Sequence, residues 1–137
     1  MRIELVRDYR FEAAHRLPNV PPGHKCARLH GHSFQVSVHL EAPIGDTSGW
    51  VRDFADLTCA MKPVLDRLDH YYLNDIEGLD NPTSEILARW IWVRVSPSLP
   101  ELSQIVADLR REVGLGDLIV TMGAGNVCDV GRELVGG

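Results

Sequence analysis

Two stretches of the chain alternate in polarity with a period of two, and this constrains the fold more than any other feature. In residues 2–15, Tyr9, Phe11, Ala13 and His15 alternate with Arg10, Glu12 and Ala14, as in a strand with one face turned inward. In residues 32–41, Phe34, Val36, Val38 and Leu40 share one face, and Gln35, Ser37, His39 and Glu41 share the other. Between them, LPNVPPGHKCA carries three prolines and a glycine, which excludes a helix and a central strand. Paired as a hairpin, the two strands present an apolar face that the rest of the chain must cover.

Two helices are expected to supply that cover. Residues 43–52 contain Pro43, Gly45 and Gly49 and read as a turn region. Asp53 can cap a helix running to about Leu68, with Phe54, Leu57, Met61, Val64, Leu65 and Leu68 on its apolar face. Pro63 falls inside it, predicting a kink or one carbonyl left without its donor. After a loop from His70 to Pro82, Thr83 can cap a second helix to about Val95, with Glu85 suiting its positive first turn. Ile86, Leu87, Trp90, Ile91 and Val95 form its apolar face, and SPSLP ends it. ELSQIVADLRRE fits a strand or a short helix, and GDLIVTMGAG reads as a buried strand entering a glycine turn. The order is β-β-α-α-β-β, an α+β layout with an antiparallel sheet and two helices on one face. At 137 residues, one domain over 1–137 is expected.

Charge and cysteine usage narrow the partners. A formal net charge of -5 argues against nucleic acid and against an anionic membrane surface. No apolar run approaches the ~18 residues of a membrane span, and MRIELVRDYRFEAAH has no signal-peptide core. Cys26, Cys59 and Cys128 are too few and too odd for a disulfide framework, so a reducing cytoplasm is expected.

The chemistry concentrates around CARLHGH, Cys26 to His32. His30 and His32 are two apart, so in a strand they point the same way, about 6.5 Å from each other. His15 ends the first strand, and hairpin pairing would bring it to the other two. Three neutral imidazoles around one cation suit a catalytic zinc site with an open fourth position. Cys26 has two roles open to it. As a fourth ligand it would close the site into a structural one. Off the metal, beside Lys25, Arg28 and the cation, it would act as a thiolate base or nucleophile. Cys59, within the first helical pattern, reads as core. In RLDHYYLND, Asp69 can orient His70 or hold it protonated, although a histidine at a helix end also serves the dipole alone. His24 and His39 read as surface residues, and Trp90 and Trp92 as packing. A generic zinc hydrolase is disfavoured, because no carboxylate accompanies the histidines as in HExxH.

FEAAHRLPNVPPGHKCARLHGHSF, GWVRDFADL, RLDHYYLND and NPTSEILARWIW, in this order, resemble the 6-carboxytetrahydropterin synthase family, relatives of 6-pyruvoyltetrahydropterin synthase. The likeness runs from about Asp8 to about Val106. It implies a T-fold, a four-stranded antiparallel sheet with two helices between strands two and three. It also implies barrel-forming homo-hexamers built as dimers of trimers, with active sites at subunit interfaces. By the resemblance, His15, His30 and His32 bind zinc (Zn2+), and Cys26 is the base. Asp69 and His70 form its relay, from the same or a neighbouring subunit, and Thr83, Ser84 and Glu85 help hold the pterin ring. The implied reaction converts 7,8-dihydroneopterin triphosphate to 6-carboxy-5,6,7,8-tetrahydropterin, releasing acetaldehyde and triphosphate, a step toward queuosine and other 7-deazapurines. A 6-pyruvoyltetrahydropterin synthase-type activity is the alternative.

The likeness ends near Ala107. The family places a pterin-anchoring glutamate in its third strand, and here Leu109 stands in that place, with Asp108 and Glu112 nearby. Segment 107–137 is instead similar to the C-terminal end of UDP-N-acetylmuramate-alanine ligases, without room for a ligase's P-loop and central domain. A zinc-binding T-fold protein that lost turnover with its glutamate is therefore the rival reading. Replacing Cys26 with Ala separates its two roles. Zinc retained with turnover abolished is expected for a base; zinc lost, by metal analysis, means a ligand.

Overall fold

The computed structural model describes residues 1–110 and 120–123, with side chains through 107. Strand β1, Arg2–His15, pairs antiparallel with β2, His30–Pro43, along its full length. The register sets Tyr9 opposite Val36, Phe11 opposite Phe34, Ala13 opposite His32 and His15 opposite His30. Period two then sends Phe11, Ala13, Phe34, Val36, Val38 and Leu40 into the core, where all are buried. The Phe11 and Phe34 rings stack with centroids 4.9 Å apart, a cross-strand contact worth about 0.5–1.5 kcal/mol beyond its buried area. Strand β2 is longer at both ends than the expected 32–41, because β1 continues to offer it main-chain partners as far as His30 and Pro43.

The stretch after Pro100 resolves as strand β3, Leu102–Arg110, antiparallel to β2 with an irregularity between His39 and Leu40. Strand β4, Val120–Gly123, pairs antiparallel with β3 and completes the order β1-β2-β3-β4. The first helix, α1, is Phe54–Leu68, and Asp53 caps it by accepting from the Ala55 amide at 2.9 Å. It buries Leu57, Met61, Val64 and Leu68 and packs on β1. Helix α2, Ser84–Val95, is capped by Thr83, which accepts from the Ile86 amide at 3.2 Å. It buries Leu87, Ala88, Trp90, Ile91 and Val95 against β3 and β4. Trp90 is packing, as expected: its indole donates to the Glu77 carbonyl at 3.0 Å. It also lies so close to Gly78, at φ +85°, that a Cβ there would sit 3.2 Å from the ring. Among the described residues, no helix is long and apolar enough to cross a membrane.

Two expectations change, and the alternatives at Pro63 are decided. Cys59 is exposed, not core. It lies two residues from both Leu57 and Met61, about 200° around the helix from each. Phe54 is 46% exposed and offers its ring to the Arg7 guanidinium, 5.6 Å away. Pro63 leaves α1 unbroken. It supplies no amide to the Cys59 carbonyl, and both residues are exposed, within reach of water.

One further contact positions the site. Residues 70–72 lie along the free edge of β1 near its end. The His70 amide donates to the Glu12 carbonyl at 2.6 Å, and the Ala14 amide donates to the Tyr71 carbonyl at 3.1 Å. A parallel bridge joins Ala14 to Tyr72.

Phe34→Ala removes half of the stacked pair beneath the histidines. It is expected to lower stability by about 3–5 kcal/mol, read as a shifted urea midpoint at fixed protein concentration.

Candidate active site

The three histidines meet because strand pairing aligns them. His15 and His30 are direct partners, and His32 lies opposite Ala13, on the same inner face. Ring centroids are 4.6 Å apart for His15–His30, 5.2 Å for His15–His32 and 4.6 Å for His30–His32. One potential ligand atom from each lies within 4.8 Å of the other two. Phe34 forms the floor, its ring 5.4 Å from that of His15 and 6.1 Å from that of His32.

Backbone carbonyls orient two of the rings. His15 Nδ1 lies 3.0 Å from the Pro82 carbonyl, and His30 Nδ1 lies 2.6 Å from the Arg28 carbonyl. A carbonyl only accepts, so each Nδ1 carries a proton, which leaves Nε2 as the ring atom that can offer a lone pair to a metal. His15 Nε2 is buried and without a hydrogen-bond partner among the described residues. Such a group costs about 1–3 kcal/mol when left unsatisfied; a cation shared with His30 and His32 would satisfy it. Burial, the largest effect, pushes the His15 imidazole below its ordinary value; the Pro82 bond opposes this, and His30 adds to it. A ring held neutral is a ring ready to ligate. The donor set therefore fits a divalent metal, and imidazole nitrogens suit zinc among others.

Cys26 lies in a 3-10 turn, Lys25–Ala27, and is partly exposed. The group of ligand atoms within 4.8 Å of one another contains the three histidines and not this thiol. Its main chain is held at both ends. The amide donates to His24 Nδ1 at 3.1 Å, and the carbonyl accepts from Leu17 at 2.8 Å.

Asp69 and His70 form a pair at the end of α1. His70 Nδ1 lies 3.0 Å from Asp69 Oδ1, and that oxygen also accepts from the Glu12 amide at 2.9 Å. The Glu12 bond, foremost, holds the Asp69 carboxyl below the usual carboxylate range; partial desolvation opposes it, and His70 reinforces it. His70 adopts φ +62°, an uncommon left-handed conformation for a residue other than glycine. This turn lets the chain fold back onto β1. His70 and His32 line one open cavity of ≈ 570 Å³ with Glu12, Gly31, Ser33 and Tyr72 among its walls. Neither Asp69 nor Cys26 is among those walls.

The start of α2 adjoins the histidines through Pro82, whose carbonyl holds His15. Thr83 spends its hydroxyl on the helix cap; Ser84 is partly buried and Glu85 exposed. At the place of the family glutamate, the register sets Leu109 opposite Phe34 and Asp108 opposite Gln35. Glu112 lies outside the described residues. Sequence reasoning missed the roles of Pro82, Arg28 and Glu12, which act through main-chain atoms that no side-chain pattern reports. His39, expected at the surface, is partly buried with Nδ1 2.7 Å from Glu4.

The 6-pyruvoyl tetrahydropterin synthase family matches residues 4–111. The chain is 43% identical over 96 residues to 6-carboxy-5,6,7,8-tetrahydropterin synthase of Synechocystis, covering 66% of this chain and 73% of that protein. It is 36% identical over 100 residues to dihydroneopterin monophosphate aldolase of Pyrococcus furiosus, covering 73% and 81%. The solved structure of Caenorhabditis elegans 6-pyruvoyl tetrahydropterin synthase superposes with a TM-score of 0.79 at 26% identity, over 91% of this chain and 97% of that one. The divergent end is similar to UDP-N-acetylmuramate–L-alanine ligase of Deinococcus radiodurans, 50% identical over 38 residues, which is 28% of this chain and 8% of the ligase.

Two outcomes are expected from this geometry. His30→Ala breaks the ligand set and removes the metal; a full equivalent of zinc retained after dialysis would refute the three-histidine assignment. For the metal-free protein, the depressed His15 value sets the sign of a pH effect. Below about pH 6.5 the unfolded chain binds a proton at His15 that the folded chain refuses until lower pH. Stability therefore falls as pH drops through that window. Urea unfolding of chelator-treated protein should record this fall, and His15→Gln should flatten it.

Proposed function

The chain belongs to the 6-pyruvoyl tetrahydropterin synthase family, and from that premise we propose that it is a zinc-dependent 6-carboxytetrahydropterin synthase. The substrates are 7,8-dihydroneopterin triphosphate and one water, and the products are 6-carboxy-5,6,7,8-tetrahydropterin, acetaldehyde and triphosphate. The observation that carries the reading is the group of three imidazoles, in which carbonyls orient His15 and His30 and the buried Nε2 of His15 lacks a partner among the described residues. The 43% identity to the Synechocystis synthase supports the choice of reaction.

His15, His30 and His32 hold the metal. Bound there with a position open, zinc supplies Lewis acidity that makes protons beside the substrate's hydroxyls easier to remove. The Cys26 thiolate removes a carbon-bound proton. His70 moves a second proton, and Asp69, itself anchored by the Glu12 amide, fixes the orientation of the His70 ring. Ser84 and Glu85, with the main chain at Thr83, hold the pterin ring at the start of α2. Because Cys26 is not among the walls of the cavity that His70 and His32 share, we assign the complete site to a subunit interface in a homo-hexamer. The edge of β1 supports assembly. Among the described residues it is covered only near Glu12 and Ala14, leaving the edge before them open to a neighbouring sheet.

The aldolase relative favours a second reading, in which the side chain is cleaved by an aldol-type step. One assay separates these. Zinc-loaded protein is incubated with 7,8-dihydroneopterin triphosphate, and the products are identified by mass spectrometry. Carboxytetrahydropterin with acetaldehyde is expected, and Cys26→Ala should abolish it while keeping one zinc per chain. A pyruvoyl product or an aldol cleavage product assigns the chain to a sister activity. No product with one zinc bound means the metal site outlived the lost glutamate.

A further inference from the structure

His24 lies two residues before Cys26 and takes no part in the three-histidine group. Sequence alone places it on the surface, and it is exposed. Its side chain is nonetheless engaged. Nδ1 accepts the Cys26 amide at 3.1 Å. The His24 carbonyl accepts from the Ala27 amide at 3.1 Å, and the His24 amide donates to the Pro21 carbonyl at 3.1 Å. An amide only donates, so Nδ1 must hold a lone pair and the neutral ring must carry its proton on Nε2.

The surrounding loop has further ties at Arg28, whose amide donates to the Lys25 carbonyl, and at Asn19, whose amide donates to Asn81 Oδ1. The turn Lys25–Ala27 spans three residues and fully buries none of them, Cys26 and Ala27 being partly buried, so packing holds the cysteine only in part. The remaining main-chain tie of Cys26 is its carbonyl, accepting from Leu17. A thiol that must meet a carbon-bound proton needs placement within fractions of an ångström, and a misplacement of ~1 Å can cost ~100-fold in rate.

We propose that His24 is a positioning residue that fixes the main chain of Cys26 through its Nδ1, and so sets where the thiol stands beside the three histidines. This rests on the reading of Cys26 as the base.

The test uses full-length, zinc-loaded His24→Ala and His24→Asn, with Cys26→Ala as reference. Asn carries a carbonyl that accepts from the amide two residues on, so it can restore the anchor without a ring. Amide hydrogen exchange at Cys26, read by peptide mass spectrometry, reports the anchor directly. In His24→Ala, exchange should speed up about 5-fold, the equivalent of one net hydrogen bond. Its kcat should fall roughly 10- to 100-fold with KM and zinc content near wild type. His24→Asn should restore most of both.

Unchanged exchange in His24→Ala overturns the proposal, as does loss of zinc, which would tie His24 to the metal centre instead. Wild-type kcat in His24→Ala beside an inactive Cys26→Ala overturns the positioning role and leaves the base intact. Turnover by Cys26→Ala overturns the base, and this role with it. If the wild-type protein turns nothing over, the proposed reaction is what fails, and exchange at Cys26 still decides the anchor.

Discussion

The register between β1 and β2 is the constraint on which the rest of the structure depends. It aligns Phe11 with Phe34 and His15 with His30 in the same ladder. A slip of one residue would reverse every side chain of β1. Phe11 and Ala13 would leave the core, and His15 would leave the other two histidines. Each large apolar side chain so exposed forfeits about 1.5–3 kcal/mol. Hydrophobic burial along the strands therefore enforces the geometry of a polar site at their end. The metal group has no need of its own scaffold; it is the last rung of the core ladder, with Phe34 as the floor between the two.

The end of β1 also gathers the remaining chemistry by main-chain bonds. Glu12 donates its amide to Asp69 and accepts from the His70 amide. Ala14 binds Tyr71, and the Arg16 amide reaches Asn74 at 2.9 Å. These bonds satisfy edge groups of a strand that would otherwise face water, and they bring the Asp69–His70 pair to the strand that carries His15. On the opposite side, Pro82 closes the loop before α2 and spends its carbonyl on His15. One strand end thus links the three histidines, the Asp69–His70 pair and the start of α2.

The divergent C-terminal segment separates what a fold demands from what a site demands. Strand β4 lies within the segment similar to a ligase end, yet it pairs with β3 in an ordinary antiparallel register. Strand pairing is satisfied by main-chain groups and tolerates many side chains. The position that the resemblance gives to the family's glutamate is Leu109, opposite Phe34. The sheet accepts the divergent strand; the binding of a pterin edge does not follow from that acceptance.

From sequence alone, the period of two located both long strands, and the 3.6-residue pattern with Asp53 and Thr83 as caps located both helices. The His-x-His pair and the strand-end His15 marked the metal group, and four ordered segments marked the family. These are local signals, carried by side chains a few residues apart. Tertiary structure decided what local signals do not contain. Cys59 and Phe54 turned outward because the sheet occupies only one side of α1. The strand between Leu102 and Arg110 was settled by β2 offering it a partner. The tautomers of His15 and His30 were set by carbonyls, one of them 67 residues away in the chain. The hold of His24 on Cys26 was set by the conformation of a loop with no periodicity to read. Side-chain patterns report which face is apolar; hydrogen bonds to the main chain of distant segments leave no such pattern, and in this protein they orient His15 and anchor Asp69.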